Sequence, residues 1–255
     1  MKFLCVSDIV DPLIYSTSVK ERYSDIDAII CAGDLSMEYQ DFIVTALNKP
    51  MFFVFGNHDL KDFYLYNKKN TRIPQSSNMT AMQALDRAHG GDYISNRSIV
   101  CRNLSFTLPN GKKTPLLITG VSGSIRYNQG EDQFTEAQMK WQLLRLAPKM
   151  IWNKIRYGRC CDIFLTHASP RHIHDREDPC HKGFECFNWF IEHFKPAMLI
   201  HGHIHLYDLQ AVRTTQSKET MVINCYSHLV IDYQPNFTGK KGETIGSVIN
   251  ILSDR

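Results

Sequence analysis

Five short apolar runs in this chain each end on a residue able to bind a metal ion. Phe3 to Ser7 leads into Asp8, and Ala28 to Ala32 into Gly33-Asp34. Met51 to Phe55 leads into Gly56-Asn57-His58-Asp59, Ile163 to Leu165 into Thr166-His167, and Met198 to Ile200 towards Gly202-His203-Ile204-His205. Runs of this length bounded by polar residues read as strands buried on both faces. Ligands of open α/β sheets bind beyond the carboxyl ends of such strands. The pattern therefore predicts an α/β fold that gathers these side chains at one edge.

The segments between the runs agree with that architecture. Ser36 to Asn48 has helical length and opens at a Ser cap; strand, helix, strand at this spacing implies a parallel sheet. Asp59 to Gly91 is polar and reads as loop plus helix, with the basic stretch Lys68-Lys69 and Arg72 as solvated loop. Asn110-Gly111 is a hairpin-turn signal. Thr135-Glu136-Ala137-Gln138 is a capping box opening a helix towards Leu146, which Pro148 is expected to separate from a further helical segment. Gly183 to Phe194 reads as a helix whose Phe184, Phe187, Ile191 and Phe194 form a core face. Asp208 to Thr214, Thr220 to Cys225, His228 to Tyr233 and Ser247 to Leu252 read as an antiparallel meander. No repeat or linker interrupts the chain, so one domain over residues 1–255 is expected.

Composition removes several function classes. Hydrophobic residues make up 43% of the 255 and charged residues 22%, enough for a sizeable core. With 29 basic and 26 acidic side chains, net +3, the balance disfavours a nucleic-acid partner. Only Phe3 to Val6 are apolar before Asp8, too short for a secretory signal, and no window approaches the roughly 18 apolar residues of a membrane span. The expectation is a cytoplasmic protein with no membrane partner. The 8 cysteines lack zinc-knuckle or redox spacing and read as free thiols, with Cys5, Cys31 and Cys225 as small core residues.

Any one polar cluster is an ordinary turn or helix cap. Asn-His-Asp and His-x-His directly after apolar strands rarely serve packing, and five clusters in chain order point to one site. Two Asp, one Asn and several His form a mixed nitrogen and carboxylate set suited to Zn, Fe or Mn, too large for a single tetrahedral ion. Two metals bridged by one carboxylate satisfy it.

The order of the clusters resembles the calcineurin-like metallophosphoesterases, whose pattern is D-x-H, G-D, G-N-H-D/E, a lone H, then G-H-x-H. The match runs from Asp8 to His205. The resemblance implies a four-layer α/β/β/α sandwich with two divalent ions at the sheet edge, Mn foremost, with Fe, Zn, Mg or Ni as alternatives. It implies that Asp34 bridges the ions, that Asp8 and His205 complete metal one, and that Asn57, His167 and His203 complete metal two. It further implies that His58 lies over the scissile phosphate and protonates the leaving group, with Asp59 orienting His58. The implied activity is hydrolysis of a phosphodiester or phosphomonoester, on a small molecule or nucleotide, with metal-bound hydroxide as the nucleophile.

One position departs from the pattern. The His expected after Asp8 falls on Val10, so metal one loses a ligand and becomes more oxygen-rich, which favours Mn²⁺ or Mg²⁺. Asp11 lies close by, but Pro12 follows it and marks a turn. The same loss keeps a metal-poor scaffold that binds protein partners as the alternative function. For substrate contacts the candidates are Arg126 and Asn128, in the small-residue segment Gly120 to Gln133, and His181, in the loop Ala168 to Gly183 expected to hang over the site. His201 alternates away from His203 and is read as structural.

Overall fold

The computed structural model describes residues 1–58, 90–208, 211–238 and 240–252. Asp59 and the loop-plus-helix reading of residues 59–89 lie outside the described residues. The first elements are β1 (Lys2–Ser7), α1 (Val19–Arg22), β2 (Ala28–Cys31), α2 (Met37–Leu47), β3 (Met51–Phe53) and β4 (Gly91–Tyr93). There follow β5 (Arg97–Thr107), β6 (Lys113–Val121), β7 (Ser124–Ile125), β8 (Gln133–Phe134), α3 (Glu136–Tyr157) and β9 (Ile163–Thr166). The last are α4 (Glu185–Phe194), β10 (Met198–His201), β11 (Thr214–Ser217), β12 (Thr220–Asn224), β13 (Ser227–Phe237) and β14 (Thr244–Leu252).

These strands form two six-stranded sheets, ordered β14-β13-β1-β2-β3-β4 and β11-β12-β10-β9-β6-β5. β1 to β4 run parallel, as do β6, β9, β10 and β12, while β13-β14, β5-β6 and β11-β12 are antiparallel pairs at the flanks. Strand alternation gives each sheet two buried faces. Phe3, Cys5, Ile30, Ile118, Leu165 and Ile200 meet between the sheets. Leu4, Ile29 and Phe53 face outward under α2 residues such as Ile43, and Leu117, Phe164 and Leu199 face outward under α3 and α4. The layers therefore run α/β/β/α.

Local signals set the helix ends. The Ser36 side chain accepts the Tyr39 N–H at the start of α2, and Asn48 closes it in a left-handed conformation. Thr135 and Gln138 make the expected capping box on α3. The expectation at Pro148 fails: α3 continues through it as one 22-residue helix. Pro148 is exposed, while Met139, Leu143, Leu146 and Met150 are buried on the opposite face. Burial of four such side chains, at about 1.5–3 kcal/mol each, outweighs a proline cost of about 3 kcal/mol.

The tail also differs from a meander. β11 and β12 form a hairpin on one sheet, and β13 and β14 a hairpin on the other. The chain crosses between sheets at Cys225 and Tyr226, because β12 takes its second partner, β10, in parallel and leaves no edge for β13. The strand expected at Asp208 to Thr214 begins only at Thr214, with residues 209–210 outside the described set.

Candidate metal centre

The carboxyl ends of β1, β2, β3, β9 and β10 open towards the same place, and each delivers a polar residue within a few positions. Asp8 (φ 67°), Asp34 (φ 57°) and His203 (φ 64°) adopt left-handed backbone, a conformation costing roughly 1–2 kcal/mol in a residue with a Cβ. Such strain persists where the surroundings enforce it, and it clusters at functional sites. The adjoining glycines are equally constrained. A Cβ on Gly56 would lie 2.0 Å from Asp34 Oδ1, and one on Gly202 would lie 2.6 Å from Asp8 Oδ2. Each is a glycine because a carboxylate occupies the space a side chain would take.

Four acceptor atoms converge. His167 Nε2 lies 3.1 Å from Asn57 Oδ1, 3.1 Å from His203 Nδ1 and 3.3 Å from Asp34 Oδ2. The opposite ring nitrogens are already used. His167 Nδ1 lies 2.7 Å from the Ala32 carbonyl and His203 Nε2 lies 2.6 Å from the Cys180 carbonyl. A carbonyl only accepts, so both of those nitrogens carry protons, and in the neutral form of each ring the facing nitrogen presents a lone pair. Asn57 is turned by a further contact: its Nδ2 donates to Tyr127 Oη at 3.0 Å, which leaves Oδ1 towards the centre.

The electrostatics favour positive charge among these groups. Burial works against charge on His167, but Asp34 beside it prevails and pushes the ring up to about 10. Burial, then the neighbouring His167, pull His203 down to about 3. Burial also opposes ionisation of Asp34, yet the His167 charge and hydrogen bonds from His167 and the His58 backbone hold its carboxyl well below the ordinary range. The proton on His167 occupies a position where a divalent cation would serve four acceptors at once.

Asp8 extends the site. Its Oδ1 accepts the His203 N–H at 2.8 Å, and His205 Nε2 lies 3.9 Å away. Its Oδ2 is buried and takes no hydrogen bond of normal geometry. Burial pushes the Asp8 carboxyl up, and the nearby Asp34 charge adds to that. An orphaned carboxylate oxygen beside a second carboxylate is the environment a cation relieves. His205 is more open: its Nδ1 meets Tyr207 Oη at 2.9 Å and its ring lies 4.9 Å from Tyr226. The residues thus fit divalent ions, tightly at Asp34, Asn57, His167 and His203, and loosely at Asp8 and His205.

Family comparison agrees with this geometry: the sequence pattern of the calcineurin-like phosphoesterases matches residues 1–207. The chain belongs to the calcineurin-like phosphoesterase family. It is accordingly a phosphoric ester hydrolase, of a family that works with divalent metal ions. No curated protein matches it significantly. One solved structure aligns with TM-score 0.61 at 13% identity, over 100% of this chain and 99% of the other. TT1561 of Thermus thermophilus aligns with TM-score 0.57 at 14% identity, over 100% of this chain and 99% of its own. The calcineurin-like phosphoesterase YfkN of Bacillus subtilis aligns at 12% identity and TM-score 0.49, over 99% of this chain and 90% of that one.

The remaining candidates of this phosphoesterase take different places. His58 is exposed at the mouth, with its backbone N–H 2.9 Å from Asp34 Oδ1. Val10 is 48% exposed and supplies nothing to the centre. Asp11 faces away: its Oδ1 accepts the Leu13 N–H, and its Oδ2 meets His228 Nδ1 at 2.6 Å, so it forms a turn. The Arg126 guanidinium is taken up by the Gln133 carbonyl and Gln138, and Asn128 Oδ1 accepts the Gly130 N–H, so both hold their own loop together. Neither is brought to the centre. His181 is closer, its ring 5.3 Å from that of His203, with Nδ1 on Asp178 at 2.8 Å. Its loop reaches the site through the Cys180 carbonyl. His201 is fully buried and bonded to His174, away from the centre. Sequence reasoning reached the right segment but passed over Tyr127. The signal was there in outline: a Tyr among small residues, directly after a strand.

Proposed function

We propose that the chain is a single-domain hydrolase of small phosphate esters with a dinuclear centre. The convergence of four acceptors beside the orphaned Asp8 Oδ2 carries this reading. Asn57, His167 and His203 would hold one ion, Asp8 and His205 the other, and Asp34 would contribute to both. Bound divalent ions would supply Lewis acidity, neutralising phosphate oxygens and lowering the pKa of water. The chain's own part is positioning and proton transfer. The backbone carbonyls of Ala32 and Cys180 fix the His167 and His203 tautomers, and Tyr127 fixes the Asn57 amide. His58, exposed at the mouth and tethered through its N–H to Asp34, delivers the proton to the departing oxygen, a step typically contributing about 100- to 10,000-fold. With Val10 contributing nothing, the Asp8 position keeps a single imidazole, and its oxygen-rich set favours Mn²⁺ or Mg²⁺.

Hydrolysis of bis-p-nitrophenyl phosphate and p-nitrophenyl phosphate tests this. Chelator-stripped protein is assayed with Mn²⁺, Mg²⁺, Zn²⁺ or Ni²⁺ restored, beside Asp34→Asn and His58→Ala. Metal-dependent turnover that both substitutions abolish is expected. Turnover that needs no metal, or that survives Asp34→Asn, refutes the dinuclear reading. Folded protein that binds metal yet turns over neither ester with any ion leaves the scaffold alternative standing.

A further inference from the structure

Helix α3 has two apolar faces. The first, buried against the sheet, carries Met139, Leu143, Leu146 and Met150. On the other, Trp141, Leu144, Ile151, Trp152 and Ile155 are between 41% and 61% exposed, with Pro148 exposed among them. At 3.6 residues per turn these six positions fall within an arc of about 100°, centred opposite the buried stripe. Two of the chain's 3 tryptophans lie on it. A helix that merely covers a sheet shows water a polar outer face, and an apolar stripe of this extent on a protein surface marks a contact site.

Charge identifies the partner. α3 carries five basic side chains, Lys140, Arg145, Lys149, Lys154 and Arg156, and one acidic, Glu136, hence a net +4. The whole chain carries +3, so everything outside this helix sums to −1. Glu136 is turned to the start of α4, where it accepts the Glu185 and Cys186 N–H groups. On the same helical projection Arg145, Lys149 and Arg156 border one side of the apolar arc, and Lys140 and Lys154 the other. The Arg145 guanidinium already lies over the Trp141 ring, 5.5 Å from its centroid.

We propose that this face docks the enzyme in the plane of a membrane surface rich in anionic phospholipid. Trp and aliphatic side chains enter the boundary between headgroups and acyl chains, while flanking Lys and Arg extend their stems outward to the lipid phosphates. A second copy of the helix satisfies the apolar arc but brings two basic borders together; the anionic surface satisfies both. Among the described residues no helix is long and apolar enough to cross a membrane. The expectation of no membrane partner rested on finding neither a spanning segment nor a secretory signal, and docking in the plane needs neither.

Sedimentation with vesicles tests the proposal, with tryptophan emission as a second readout. Wild-type protein is mixed with vesicles of phosphatidylcholine alone and of phosphatidylcholine with phosphatidylglycerol. Binding to the mixed vesicles with a blue shift in emission is expected, at least about tenfold tighter than to phosphatidylcholine, since each basic residue at the surface contributes several-fold. Arg145→Glu with Lys149→Glu, and separately Ile151→Ser with Ile155→Ser, each weaken binding at least about tenfold. Hydrolysis of a soluble ester and the melting temperature stay unchanged. No binding to the mixed vesicles, or equal binding to both kinds, overturns the proposal. So does a concentration-dependent dimer that Ile151→Ser with Ile155→Ser dissociates, which assigns the face to a second copy.

Discussion

Tyr127→Phe isolates the orientation of the Asn57 amide, because it removes one oxygen and little else. Asn57 is 3% exposed, and its Nδ2 donates to Tyr127 Oη at 3.0 Å, while Oδ1 faces His167 Nε2 at 3.1 Å. Without the hydroxyl, a buried N–H loses its acceptor, at about 1–3 kcal/mol. The amide then has less reason to keep its oxygen towards the centre, and the loss is felt as cation affinity. At 1.4 kcal/mol per factor of ten, that range is about 5- to 150-fold, in line with the 10- to 100-fold typical of groups that orient metal ligands. Mn²⁺ affinity of the stripped protein, measured by competition with a fluorescent chelator, is expected to fall within that range. Turnover at saturating Mn²⁺ should recover much of its value, since the reacting groups are untouched. Asn128→Ala is the control and leaves Mn²⁺ affinity unchanged, because the Asn128 side chain bonds the Gly130 N–H within its own turn. Mn²⁺ affinity within twofold of wild type in Tyr127→Phe refutes the orienting role.

Three further outcomes follow from the same geometry. In Gly56→Ala the new methyl meets Asp34 Oδ1 at 2.0 Å, so the carboxylate must move; a displacement near 1 Å costs on the order of 100-fold, and kcat on bis-p-nitrophenyl phosphate should drop at least that far. Val10→His places an imidazole two residues after Asp8, at a position 48% exposed; metal analysis at limiting Mn²⁺ should show the second equivalent held more tightly, with stability within about 0.5 kcal/mol, and equal affinities would contradict the reading. Burial pulls His174 from its ordinary 6.5 down to about 4, so the folded state prefers the neutral ring; its share of stability is complete above pH 6.5 and is lost as pH falls towards 4. Urea titrations should show about 2–3 kcal/mol disappearing across that window, and His174→Gln should flatten that part of the curve.

The fold was legible where one local signal sufficed and illegible where distant packing overruled it. Strand-length apolar runs located β1, β2, β3, β9 and β10, because strands buried on both faces need no alternation to be seen. Ser36 and Thr135 marked their helix starts, since a capping hydrogen bond spans only three residues. Pro148 misled because its local cost is set against burial of residues that are apolar for reasons lying in another element. The tail misled for a related reason. Alternation locates the strands of two hairpins, but nothing within β12 or β13 states that they belong to different sheets.

The site shows the same division. Residues that can point at a cation are recognisable by type, so Asp8, Asp34, Asn57, His167 and His203 could be chosen from the sequence and are found together. What makes them usable is supplied by atoms that carry no signature. The Ala32 and Cys180 carbonyls, which set which nitrogen of each ring is free, are backbone oxygens that any residue would offer. The glycines are informative only once the carboxylates are placed, since Gly56 and Gly202 are required by what lies 2.0 Å and 2.6 Å from a missing Cβ. Arg126 attracted attention through its charge, yet Tyr127, next to it, is the residue that reaches Asn57, because successive side chains at that bend point in different directions. Ligand identity is therefore a property of residue type, whereas tautomer, amide orientation and clearance are properties of the fold. A scaffold could retain the first while losing the second. Here the Tyr127 contact and the clearance at Gly56 and Gly202 accompany the acceptors, the combination that the proposed dinuclear centre needs and that Tyr127→Phe and Gly56→Ala test.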